Sequence, residues 1–94
     1  MTITYEDVVK AQQTQNKVIR KTNLEFSETF SKICGANVYL KNEYEQKTGS
    51  FKIRGAYYKI KSLTDDEKNK GVVAASAGNH SQGVAFASHI ENIP

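Results

Sequence analysis

Hydrophobic and polar positions follow one another along these 94 residues in rhythms that change from segment to segment. Val8, Ala11, Gln15, Val18 and Ile19 recur at near-helical spacing behind Thr4 and Asp7, a capping pair, and predict an amphipathic helix from Tyr5 to Arg20. Ser27 is placed to cap a short helix holding Phe30 and Ile33, and Gly35 stands just past its end, where a left-handed residue is commonly needed. From Asn37 to Asn42 the period drops to two, with Val38 and Leu40 on one face, which predicts a strand.

The strongest helical pattern runs from Phe51 to Leu63, where Ile53, Ala56, Tyr57, Ile60 and Leu63 fall three and four apart. Thr64 ends it and is placed to cap the short charged turn Asp65 to Lys70. Gly71-Val72-Val73-Ala74-Ala75 is a compact apolar run, as expected of a parallel strand covered on both faces. A last helix begins near Asn79, carries Val84, Phe86, Ala87 and Ile90, and stops at Asn92 or Ile93, before Pro94. Helices followed by strand, helix, strand and helix predict an α/β fold with a parallel sheet and right-handed crossovers. Two strands do not make a stable sheet, so the chain reads as a fragment of a longer protein.

Composition narrows the class of protein. At 38% hydrophobic the chain is sized for one domain with a modest core. No apolar run approaches a membrane span, and residues 1–7 lack the basic and apolar regions of a signal peptide, so the expected address is the cytoplasm. The lone Cys34, at an apolar helix end with no evident base, is expected to be a buried structural residue. The net charge of +3 comes mostly from lysines spread along the chain, with arginine only at 20 and 54, which argues against a nucleic-acid partner. His80 and His89 have no acidic or cysteine neighbours at ligand spacing, so no metal is expected.

Two loops carry candidate chemistry. In Lys47-Thr-Gly-Ser-Phe-Lys-Ile-Arg-Gly-Ala56 a glycine turn drops Lys52 onto the first turn of a helix, beside Phe51. The dipole there is unfavourable to a cation but too weak to make the amine a good base, whereas a bound electron-withdrawing aldehyde would do so by forming an imine. Gly49 reads as an ordinary turn or as a point of close backbone approach. Phe51 reads as core or as a flat face for an aromatic ring, and Gly55 as a glycine that lets its helix pack tightly. The second loop, Ser76-Ala77-Gly78-Asn79-His80, lies between an apolar run and a helix start, where open α/β sheets bind ligands and free N–H groups suit an anion. The alternative is a plain helix cap by Ser76 or Asn79.

Together these segments resemble the N-terminal part of the serine/threonine dehydratase family, and most of all its catabolic threonine ammonia-lyase branch, over about Tyr5 to Pro94. The resemblance implies the tryptophan-synthase-β-like fold (fold type II) and pyridoxal 5'-phosphate as cofactor. It also implies that residues 1–46 belong to the large domain and 47–94 to the start of the small domain. Lys52 would bind the cofactor as an imine, Phe51 would stack near its ring, and Asn79 would hydrogen-bond its 3-hydroxyl. Ser76, Asn79 and His80 would hold the carboxylate of threonine or serine. The implied reaction converts L-threonine to 2-oxobutanoate and ammonia in a cytoplasmic homo-oligomer.

Three departures modify this picture. Lys21-Thr22-Asn23-Leu24 stands where related sequences often carry Arg-Thr-Pro-Leu, which implies a changed loop. Ala77 occupies the place where racemase-type members tend to have serine, which argues against racemisation. The glycines, at 35, 49, 55, 71, 78 and 83, are never adjacent, so the glycine-rich phosphate loop of the family has no counterpart here. The alternative expectation is therefore a non-catalytic fragment.

Overall fold

The structure is a computed structural model and describes residues 1–94. Its elements are α1 (Tyr5–Gln15), β1 (Leu24–Phe26), α2 (Glu28–Cys34), β2 (Tyr39–Lys41), a 3-10 turn (Glu43–Glu45), α3 (Lys52–Lys61), α4 (Asp65–Lys70) and α5 (Asn79–Ile90). The core lies where α3 meets α5. Helical spacing turns Ile53, Ala56, Tyr57 and Ile60 of α3 inward, and Gly83, Ala87 and Ser88 of α5 face them. Ile93 joins Tyr57, Ile60 and Ala87, with Val18, Leu63, Val72 and Val84 packed around the edge.

The sheet departs from expectation. β1 and β2 pair antiparallel with Leu24 opposite Lys41, Glu25 opposite Leu40 and Phe26 opposite Tyr39, and α2 fills the connection between them. The parallel strand expected over Gly71 to Ala75 is absent: the segment joins no ladder and Val73 is fully exposed. A strand exists only through its neighbours, and residues 1–94 supply no second parallel strand to pair with it.

The first helix is also shorter than its periodicity suggested, ending at Gln15 and not at Arg20. The backbone of Arg20 is engaged by Gln46, which accepts from Arg20 N and donates to Arg20 O, both at 2.8 Å. Gln15 Nε2 meanwhile donates to Arg54 O at 2.6 Å. Tertiary bonds therefore end the helix before its apolar rhythm does. Cys34 is exposed, contrary to expectation, because α2 buries none of its residues.

Only 12 of 94 residues are buried, and the radius of gyration of 16.0 Å exceeds the roughly 12 Å of a compact domain of this length. Leu24, Phe26, Phe30, Ile33 and Tyr39 are left exposed on the hairpin and α2. No helix is long and apolar enough to cross a membrane.

Candidate functional site

The five helices start in two different ways. Thr4 with Asp7 and Thr64 with Glu67 form reciprocal capping boxes on α1 and α4, and Ser27 Oγ accepts from Phe30 N at 3.2 Å on α2. The helices that carry the two candidate loops, α3 and α5, have no cap bond from their N-cap residues, and only a 3.4 Å side-chain bond from Lys52 N to Ser50 Oγ touches the start of α3. In α5 the N–H groups of Asn79, His80 and Ser81 meet no acceptor, and the first backbone bond of the helix is Gln82 N to Gly78 O at 3.1 Å. Donors left open at a positive dipole end favour a carboxylate or phosphate.

The lysine loop is held at both ends. At its start, Gly49 adopts φ 75° and donates to Gln46 O at 2.8 Å, a left-handed turn that favours glycine. At its end, Arg54 grips Glu43 with two bonds of 2.8 Å from Nε and Nη2. That guanidinium, helped by the Thr22 hydroxyl, holds the Glu43 carboxyl down at about 2. Lys52, the first residue of α3, is exposed; its Nζ lies 5.1 Å from the centroid of the Phe51 ring and has no hydrogen-bond or ionic partner. Phe51 is 58% exposed, so no residue of this chain covers its face.

In the second loop, Ser76 Oγ accepts from Gly78 N at 3.2 Å, within the turn and outside α5. The side chain of Asn79 makes no cap bond, so neither residue is spent as a helix cap. His80 lines an apolar groove of about 240 Å³ with Gly55, Lys59, Val72, Val73 and Val84, on the side of α3 beyond its first turn.

What brings the loops together is Gly83, which sequence reading passed over. A Cβ at Gly83 would lie 3.2 Å from Lys52 C and Ile53 N and 3.3 Å from the Ala56 Cβ, so α5 crosses directly over the backbone that bears Lys52. Asn79 lies four residues earlier, one turn up the same face of α5. Gly55, expected to be the packing glycine, meets nothing within 4 Å of an added Cβ. No hydrogen bond joins the two loops, and no cavity is lined by both Lys52 and Asn79. Glu43, Gln46 and Gly83 were missed as positioning residues because each acts through partners 11 to 31 residues away, and only the isolated glycine inside a helical pattern gave a signal.

Comparison with known proteins follows the same residues. The family model described as "Pyridoxal-phosphate dependent enzyme" matches residues 16–94. The chain is 55% identical over 92 residues to an L-threonine ammonia-lyase of Thermotoga maritima, covering 98% of this chain and 23% of that protein. It is 51% identical over 85 residues to a catabolic L-threonine dehydratase of Escherichia coli, covering 90% of this chain and 26% of that one. A crystal structure of serine racemase from Dictyostelium discoideum superposes with a TM-score of 0.89 at 41% identity, over 99% of this chain and 30% of that chain. The chain spans about a quarter of the length of the curated relatives it matches.

Proposed function

The chain belongs to the family of pyridoxal-phosphate dependent enzymes, and from that premise we propose that it carries the lysine-bearing part of an L-threonine dehydratase, which releases 2-oxobutanoate and ammonia. The observation that carries this reading is the pairing of two uncapped helix starts, one presenting a free lysine and the other free amides. The donor set fits pyridoxal phosphate: an unpaired amine beside an open aromatic face, and an unspent Asn79 amide. When bound, the cofactor supplies an electron sink for the bond broken at the substrate α-carbon.

Lys52 Nζ would hold the aldehyde end of the cofactor and, as a free amine, would accept the α-proton. Phe51 would lie against the cofactor ring, and the Asn79 amide would donate to its 3-hydroxyl oxygen. Ser76, Asn79, His80 and the free N–H groups of α5 hold the substrate carboxylate, which positions the α-carbon near Lys52. Names among the relatives favour threonine, with serine as the second substrate, and Ala77 in place of a hydroxyl on the opposite face disfavours racemisation. We place the enzyme in the cytoplasm as a homo-oligomer.

Borohydride reduction in the presence of pyridoxal phosphate, followed by peptide mass mapping, is expected to fix the cofactor on Lys52. The visible absorbance seen before reduction should vanish in Lys52→Ala. Label on another lysine, or a band that survives the substitution, would sink the assignment.

A further inference from the structure

We propose that Gly83 is a positioning residue, whose missing side chain sets the distance between Lys52 and the Asn79 end of α5. The inference rests on the function proposed above and adds to it a residue that touches neither cofactor nor substrate. Of the three atoms nearest a Cβ at Gly83, two belong to the peptide joining Lys52 to Ile53, at 3.2 Å each. Backbone at that distance cannot swing aside as a flexible side chain would. Ile53, which follows that peptide, is fully buried, so the start of α3 is already packed in place. A methyl group at position 83 therefore lifts α5 away from the first turn of α3, and Asn79, one turn up the same helix face, moves with it.

Gly55 supplies the internal control. It too lies inside a helix, but an added Cβ there meets nothing within 4 Å. Replacing it with alanine removes a flexible backbone position and introduces no clash, so Gly55→Ala raises the melting temperature. Helix propensity favours both substitutions alike, and only the crossing geometry separates them.

The test uses the full-length enzyme and reads borohydride-trapped label on Lys52 against subsaturating pyridoxal phosphate, together with circular dichroism. Gly83→Ala is expected to lower the label about tenfold or more, in line with the large cost of ångström-scale misplacement. Gly55→Ala should label as the unsubstituted protein does.

A double variant, Gly83→Ala with Ala56→Gly, covers the case in which Gly83→Ala fails to fold. It removes the 3.3 Å contact with the Ala56 methyl but keeps both backbone contacts. It should fold and still label poorly. Full labelling by the double variant overturns the inference, because Gly83 would then only make room for Ala56. Equal labelling by Gly83→Ala and the unsubstituted enzyme overturns it as well. Absence of label at Lys52 in the unsubstituted enzyme has a different signature and brings down the functional reading along with the inference.

Discussion

Helices α1 and α4 begin closed, each with a threonine and an acidic residue satisfying each other's backbone, whereas α5 begins open with three N–H groups unmatched. The closed starts lie on helices that bury one residue between them, and the open one lies over the core. Local stability and chemistry are thus kept in different places. Peripheral helices need caps because packing gives them little, while α5 is held by α3 and keeps its first donors unmatched.

That contrast is exposed most severely by Asn79→Asp, which keeps size and reverses character. A carboxylate in the first turn of α5 should stabilise the helix by about 0.3–1 kcal/mol through the dipole. The same charge should repel a substrate carboxylate and remove a donor, costing about 1–3 kcal/mol in affinity. A rise in thermal stability with a fall of tenfold or more in threonine affinity separates the two roles, and a parallel fall in both would erase the distinction.

Next in size is Glu43→Gln, which leaves the partly buried Arg54 guanidinium without its carboxylate. A loss of about 1–3 kcal/mol is expected in urea unfolding. The pH dependence has a definite sign. Glu43 sits at about 2 when folded, well below the ordinary carboxylate value of 4.5, so its contribution is complete above that ordinary value and disappears as pH falls toward 2. In Glu43→Gln that part of the acid sensitivity should be missing.

Thr64→Ala should cost about 1 kcal/mol by opening the start of α4, with labelling of Lys52 unchanged. A loss of label would show that the closed starts also serve the site. The smallest effect concerns Asp7 and Glu67, whose carboxyls are held below their usual range chiefly by the backbone N–H groups of Thr4 and Thr64. Their contribution is present above the ordinary carboxylate range and fades as pH falls below it, so helicity lost in mild acid should come first from α1 and α4. Residue-resolved hydrogen exchange at falling pH checks the order.

Features written in adjacent residues were legible in the sequence. The threonine and serine caps, the left-handed Gly35, the turn at Gly49 and the helix over Lys52–Lys61 all follow from local pattern, and so did the two loops. Features that depend on distant partners were not. Leu24–Phe26 is a strand because Tyr39–Lys41 lies beside it, with a helix and not a tight turn between them, so no hairpin signal marks it. Val72 and Val73 have the composition of a strand but no neighbour to complete one. Gln15, Thr22 and Gln46 are buried because their polar groups are matched across the fold, a match with distant partners that no local pattern shows.

Lys52, exposed, is followed at once by Ile53, the most completely buried large side chain in the molecule. Successive helix residues differ in azimuth by about 100°, so seating Ile53 in its socket dictates the direction in which Lys52 projects. The loop ahead of it delivers the chain but does not set this angle. Insertions at Gly49 or Ser50 should then be absorbed as slack, whereas shaving Ile53 to alanine would let the helix roll and swing the amine off target.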